Sequence, residues 1–249
     1  MPRFFIKENQ IQNNKITIIG EDVNHIKNVI RKQIGDIIEI CNQDNEKSYK
    51  CEIEKIEEKQ ITTKIIEELK AQESNIKVDI FQGLPKAEKM ELIIQKSVEL
   101  GANAIIPVNM KRCVVKLDSK SEEKKIERWQ KISESAAKQC GRNNIPEVKH
   151  LVNIKDICNL IKDYDAMIVA YENEKENTLK QELTKLKNKQ KNLKIGIVIG
   201  PEGGLEENDV KLLKESGAKI ITLGHRILRT ETVALNMLSI IMYELELEV

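Results

Sequence analysis

Three glycines and a proline in "GPEGG", residues 200–204, separate an apolar run from a helical-looking segment that starts near Glu206. Glycine-rich turns at strand-to-helix junctions serve places where a ligand meets bare backbone or where φ must be positive. A Cβ at Gly203 is expected to offend one of these two conditions. The turn is not a Walker A loop, because no G-K-[ST] follows and the nearest lysine is Lys211, nor is it G-x-G-x-x-G. Alone, it fits a plain turn as well as a ligand loop. A second unusual loop adds to it: the strand "KIITLG" ends at Gly224, and "HRILRTET", residues 225–232, leads into a closing helix. These two strands read as neighbours, and a third ends in "VAYE", residues 169–172. Ligands of open α/β sheets bind at that shared carboxyl edge. A pocket rich in backbone N–H and C=O, with few inward charges, suits a neutral or zwitterionic ligand such as an adenosine derivative better than a triphosphate.

Elements must hold those loops. From residue 76 the chain alternates strand and helix. Apolar runs at 76–81, 104–108, 166–171, 195–200 and 218–224 read as buried parallel strands. Helical stretches fall at 86–100, 124–140, 154–162, 178–190, 206–216 and 230–246, which predicts an α/β domain with helices on both faces. Before that, "RFFI", "ITII", "DIIEIC", "SYKCEIEKI" and "ITTKIIEEL" are β-rich, and the spacing of Val23, Ile26, Val29, Ile30 and Ile34 predicts a helix over 21–35 that stops at Gly35. Several short strands in so few residues predict a small barrel. The boundary falls near the polar "KAQES", residues 70–74, giving domains 1–71 and 72–249.

The chain has 41 Lys+Arg against 40 Asp+Glu, so any nucleic-acid surface must come from segregated charge. Five cysteines without CxxC spacing and three histidines make a structural zinc site improbable, and no metal site is expected. The cysteine usage and the lack of a signal peptide predict a cytoplasmic protein with reduced, inert thiols. The longest apolar stretches fall short of the roughly 18–20 residues of a membrane span.

"IGPEGG" with "LGHRILRTET" resembles the SPOUT superfamily of S-adenosylmethionine (AdoMet)-dependent RNA methyltransferases, and more narrowly the ribosomal small subunit methyltransferase E family, which makes 3-methyluridine in 16S rRNA. "MPRFF", "HIKNVIRKQIGD" (25–36), "GLPKAEKMELIIQKSVELGANAIIPV" (83–108), "KRCVVK" (111–116) and "SAAKQCGRNNIPEV" (135–148) resemble that family's segments in order, over nearly the whole chain. Leu205 and Glu206 depart from the expected aromatic and serine, leaving the helix without a Ser N-cap, and Val233 replaces a small residue. The resemblance implies an α/β fold: a SPOUT-type C-terminal domain with a parallel sheet and a deep trefoil knot, preceded by a PUA-like β-barrel that helps hold RNA. It also implies a homodimer and, as partner, 16S rRNA or the small ribosomal subunit.

AdoMet contacts then fall on Val169, Ala170 and Tyr171, on Ile199, Gly200, Pro201, Glu202, Gly203 and Gly204, and on Leu223, Gly224, Arg226, Ile227 and Leu228. Arg226 and Arg229 stand near a helix N-terminus whose positive end repels them, so either they serve RNA or they pair with Glu202 or Glu231. The implied reaction needs the N3 proton of uracil removed and the resulting charge stabilised. Arg229 is the expected charge stabiliser and Glu231 the candidate base. Lys86, Lys89 and Lys96 fall on one predicted helix face, turning about 100° per residue, and with Arg112, Lys116 and Arg142 make candidate phosphate contacts. Arg3, Lys27 and Arg31 are the candidate RNA contacts of the barrel. His25 reads as structural, and Trp129 as core or dimer contact. Two other classes compete: a SPOUT enzyme acting on tRNA or a ribose hydroxyl, and a non-catalytic RNA-binding protein.

Overall fold

The structure, a computed structural model, describes residues 3–70, 73–187 and 192–246. The chain divides into two compact units, Met1–Glu73 with Ala137–Ile145, and Ser74–Ala136 with Pro146–Val249. The expected boundary at 71/72 and the last residues of the expected 178–190 helix lie outside the described residues.

In the N-terminal unit, strands β1 (Arg3–Ile6), β2 (Ile11–Gln12), β3 (Lys15–Ile19), β4 (Ile37–Asn42), β5 (Ser48–Ile56) and β6 (Gln60–Leu69) form a curled sheet of order β1-β4-β5-β6-β3-β2. Only β1–β4 is parallel. Register shifts between β5 and β6 at Lys50/Cys51 and Ile53/Lys55 bend the long strands, as bulges do. The concave face buries Phe4, Ile16, Ile18, Ile38, Ile40, Ile53 and Ile61. Each such side chain contributes about 1.5–3 kcal/mol on burial.

The helix expected over 21–35 is shorter. Helix α1 (Glu21–Asn24) runs into a π turn, His25–Val29. Wide hydrogen bonds, Ile30 N–H to His25 O at 3.0 Å and Lys32 N–H to Ile26 O at 2.9 Å, break the 3.6-residue period. Arg31 then turns left-handed at φ 53°, which ends the helix four residues before Gly35. Val29 and Ile34 consequently face solvent at 63% and 66% exposure, although their spacing had placed them on an apolar stripe.

The second unit contains β7 (Lys77–Gly83), α2 (Lys89–Glu99), β8 (Ala104–Asn109), β9 (Glu147–Val148), β10 (Val152–Asn153), α4 (Ile154–Leu160), β11 (Ala166–Ala170), α5 (Leu179–Lys187), β12 (Lys194–Ile199), α6 (Glu207–Glu215), β13 (Lys219–Ile221) and α7 (Thr230–Leu245), with most of α3 (Ser119–Cys140). Its sheet runs β10-β8-β7-β12-β11-β13, with β9 beside β8, and each pairing is parallel. The central strands β7 and β12 are buried along almost their whole length, which is why β12 reads as an unbroken apolar run; in β7 the buried Asp79 and Gln82 interrupt it. Trp129 is a core residue of α3, at 5% exposure. One topological expectation is corrected: the strands ending in the two glycine loops are not neighbours, because β11 lies between β12 and β13.

Candidate active site

The carboxyl ends of β11, β12 and β13 deliver three loops to one cleft of about 610 Å³. The middle loop is the glycine turn. Gly204 N–H closes it on Pro201 O at 2.9 Å, and Gly204 takes φ 70°. Of the two conditions expected at Gly203, the positive φ belongs to Gly204 instead, and the close approach holds, a Gly203 Cβ lying 3.2 Å from Arg112. A Cβ on Gly200 would sit 3.0 Å from the Gly204 carbonyl carbon, so the turn doubles back on itself. Helix α6 begins after Glu206, which gives no side-chain cap. Glu206 instead meets Lys111 at 2.5 Å.

Thr230, buried at the start of α7, ties the second loop to the glycine turn. Its hydroxyl donates to Gly200 O at 2.7 Å and accepts from Gln82 Nε2 at 2.8 Å. Gln82 is fully buried near the end of β7, so three elements share one hydrogen-bonded knot of polar atoms. A Cβ on the next residue, Gly83, would lie 2.7 Å from Pro201. In the third loop, Tyr171 N–H bonds Ile221 O at 3.0 Å and Asn177 Nδ2 bonds Ile220 O at 2.9 Å, which fixes β11 to β13 beyond their ladder. Gly224 turns at φ 101°.

Of the expected AdoMet contacts, Ala170, Tyr171, Ile199, Gly200, Pro201, Glu202, Gly203, Gly204, Leu223, Gly224, Arg226, Ile227 and Leu228 line this cleft. Val169 does not: it is fully buried inside β11, one residue short of the strand end that reaches the cleft. Sequence reasoning missed Lys89, Glu172, Asn173, Lys175, Leu205, Thr222, His225, Thr230 and Val233. Position next to a recognised loop was the only signal for most of them; Lys89 was expected as a phosphate contact, not as part of this lining. Six charged side chains line it, Lys89, Glu172, Lys175, Glu202, Arg226 and Arg229, more than expected; much of the rest is backbone and aliphatic, with room for a nucleoside and an amino-acid tail. This fits AdoMet in size and chemistry.

Charge is arranged differently from the expectation. The partner of both carboxylates is Lys89, whose Nζ lies 3.2 Å from Glu202 Oε1 and 3.2 Å from Glu231 Oε2. Glu202 also accepts from Lys86 N–H at 3.0 Å. Burial opposes its charged form, but hydrogen bonds from its own N–H, from Lys86 and from Lys89 outweigh that and hold the carboxyl below the usual range. The two carboxylates in turn raise the Lys89 ammonium above its usual range, Glu202 more strongly. Arg226 and Arg229 are exposed, and among the described residues neither forms an ion pair.

The remaining basic candidates divide. Helix α2 begins at Lys89, so Lys86 lies in the preceding loop and the expected three-lysine face is corrected to Lys89 and Lys96. Lys96 pairs with Glu99 at 2.8 Å. Arg112 Nη1 donates to Gly203 O at 3.1 Å and so braces the glycine turn, while Lys116 is exposed. In the N-terminal unit, Arg3 binds Glu39 at 2.7 Å, Asn143 at 2.8 Å and Gly141 O, and Arg142 binds Glu73 at 2.7 Å. Both side chains are nearly buried, which suits a structural duty. Lys27 reaches Glu57 O at 2.9 Å, and Arg31 is exposed. His25 packs edge-on against Phe4 at 6.1 Å. Burial pushes the Cys41, Cys51 and Cys113 thiols up, Cys51 to about 11, so they are poor nucleophiles.

Residues 72–242 match the family described as RNA methyltransferase domain, and residues 18–66 the RNA methyltransferase PUA domain. The chain is 42% identical to the ribosomal RNA small subunit methyltransferase E of Bacillus subtilis, covering 99% of this chain and 98% of that one. It is 34% identical to the protein of the same name from Mesomycoplasma hyopneumoniae, over 96% and 98% of the two chains. Among solved structures, the Neisseria gonorrhoeae ribosomal RNA small subunit methyltransferase E bound to S-adenosyl methionine superposes with a TM-score of 0.85 at 28% identity, over 99% and 98% of the chains. A putative methyltransferase from Legionella pneumophila with bound SAM gives 0.83 at 29% identity, over 97% and 96%.

Proposed function

The chain belongs to the ribosomal RNA small subunit methyltransferase E family, and on that premise we propose that it methylates N3 of a uridine in 16S rRNA with AdoMet as donor. The observation that carries this reading is the cleft itself, built from backbone-rich loops at three strand ends and edged by Lys89, Arg226 and Arg229. Gly200, Gly204 and Gly224 would admit AdoMet to bare backbone, and Ile199, Leu205, Leu223 and Leu228 would cover its apolar surface. When bound, AdoMet supplies an electrophilic methyl: the pair left on N3 forms the N–C bond as the C–S pair returns to sulfur.

The chain's own residues must deal with the N3 proton. Glu231, paired with Lys89 just behind the cleft lining, is the carboxylate assigned to take the proton and pass it to water. Arg229, exposed where the loop meets α7, is placed to meet the charge left on the uracil. The base must present its pairing edge, so the target is unpaired or flipped out. Lys116, Lys86 and Arg31, all exposed and without ion pairs among the described residues, are the better candidates for phosphate contact; Arg3 and Arg142 fit a structural role. The N-terminal unit's role is to hold RNA.

A homodimer is supported by apolar side chains left at the surface of the second unit, Ile227 at 87%, Tyr243 at 86% and Leu92 at 44% exposure, near the packed pair α2 and α7. Among the described residues no helix is long and apolar enough to cross a membrane, and the substrate places the enzyme in the cytoplasm. The test is mass mapping of 16S rRNA from cells lacking the gene, beside calorimetry with AdoMet. Loss of one 3-methyluridine is expected; unaltered 16S rRNA with AdoMet binding intact would move the activity to another RNA, and no AdoMet binding would leave an RNA-binding protein.

A further inference from the structure

A cation at a helix N-terminus faces the positive end of the backbone dipoles and is unstable there unless something else holds it. Lys89 is such a cation, the first residue of α2. Two carboxylates from two separate loops hold it, Glu202 of the glycine turn and Glu231 of the first turn of α7, each at 3.2 Å. Its side chain is 31% exposed and lines the cleft. An ammonium carries three N–H donors. Both contacts are ion pairs that fix the ammonium at the cleft wall, and Glu231 Oε2 has no hydrogen-bond partner, so the ammonium has donor capacity to offer a ligand.

Arg229 offers a contrast. It also lines the cleft, yet its guanidinium is exposed and has no ion pair among the described residues. A long free side chain must lose rotamer freedom when it engages the base. Donors already fixed before the reaction stabilise developing charge far better than donors that must be ordered during it.

We propose that Lys89 is a catalytic residue: its ammonium, fixed between Glu202 and Glu231, donates to a uracil carbonyl oxygen and stabilises the charge that grows there as N3 gives up its proton. This rests on the methyltransferase reading above and adds to it a second, fixed donor that shares the charge with Arg229. The N3–H bond breaks, its electron pair stays on the uracil and spreads to the flanking carbonyls, and the proton passes to Glu231. Glu202 and Glu231 thus act on the base through Lys89 as well, by holding the ammonium in place. Lysine at this position is a donor to the base, not one of several surface charges along the phosphates.

The test is single-turnover methylation of small ribosomal subunits taken from cells lacking the gene, with AdoMet affinity measured separately by calorimetry. Lys89→Met should lose about a hundredfold in rate at saturating subunits, the size typical for one preorganised donor, with AdoMet affinity unchanged. Lys89→Arg should recover part of the rate, and Glu202→Gln a smaller loss than Lys89→Met. Subunits carrying 5-fluorouridine, whose N3 proton is more acidic, should narrow the gap between Lys89→Met and wild type. A wild-type rate for Lys89→Met with only a raised KM would make Lys89 a phosphate contact and overturn the proposal. Weakened AdoMet binding would overturn it too, since Lys89 would then serve only to hold the glycine turn. Wild-type enzyme that binds AdoMet but leaves these subunits unmethylated would instead sink the substrate reading, and this proposal with it.

Discussion

Gly204 is the residue of the glycine turn whose backbone conformation disfavours a side chain. Its φ of 70° is left-handed, and a Cβ built there would lie 2.6 Å from Glu172 Oε1. That carboxylate is the far end of an exposed side chain and can swing away, so the clash is relieved at little cost. The dihedral remains. An L side chain held in the left-handed region costs about 1–2 kcal/mol. If the variant relaxes its turn until ligand arrives, that energy is taken from binding, and AdoMet affinity falls roughly five- to thirtyfold. If the turn stays put, the same energy is taken from folding, and Tm drops by about 2–8 °C for a domain of this size. Gly204→Ala should therefore show a deficit in calorimetry or in a thermal melt, and Gly204→Val, β-branched, a larger one. Gly224→Ala is the comparison: φ 101° with nothing within 4 Å of its Cβ, so strain without any clash. Gly203→Ala has no positive φ to satisfy and meets only Arg112 at 3.2 Å, so it should lose least. Unchanged affinity and unchanged Tm for Gly204→Ala would refute the reasoning.

Arg229→Ala is expected to keep AdoMet affinity within a few-fold and to lose most single-turnover methylation, with Arg229→Lys in between, because lysine keeps the charge without the planar fork; a wild-type rate at saturating RNA would leave Arg229 with no catalytic share. Thr230→Val strips the hydroxyl that Gly200 O and Gln82 share, leaving buried polar atoms unmet, and should cost about 1–3 kcal/mol of stability in a denaturant titration. Glu202 has a carboxyl held below its usual 4.5, so its contribution to stability is present above that pH and disappears as pH falls through the lowered value. Melts taken from about pH 6 down to about pH 3 should therefore show a steeper acid loss for wild type than for Glu202→Gln.

Much of the second unit is legible in the sequence because its order is local and repetitive. Buried parallel strands are apolar along their length, and the ends of β7, β8, β11 and β12 fall within two residues of the apolar runs that predict them. Features set by distant partners were hidden. Arg3 and Arg142 read as free surface cations, but Arg3 finds Asn143 across 140 positions of sequence, and no local pattern announces such a pairing. The helix at 21–35 failed for a different reason. Periodicity assumes a constant turn, and one π turn at His25–Val29 shifts the phase of every residue after it. Lys86, Lys89 and Lys96 were grouped on one face because the helix was started three residues early. The cleft lining was mostly foreseen, since loops can be named once strand ends are known. The Lys89 pairing was not, because it depends on how two other loops fold back.

The hydroxyl of Thr230 and the amide of Gln82 are 148 positions apart in the chain. A ribosome adding about 5–20 residues per second needs roughly 7–30 s to make the second after the first. For most of that interval β7 has one edge open, because its neighbour β12 begins only at Lys194. The strand waiting with that edge bare is buried along nearly its whole length in the finished fold, and an unpaired strand edge is where wrong chains pair. Chain closure over such spans must also be completed before the contacts reward it, which makes folding slow. The cleft is thus completed late in the newborn chain, after β7 has waited for β12 and for the loop that carries Thr230.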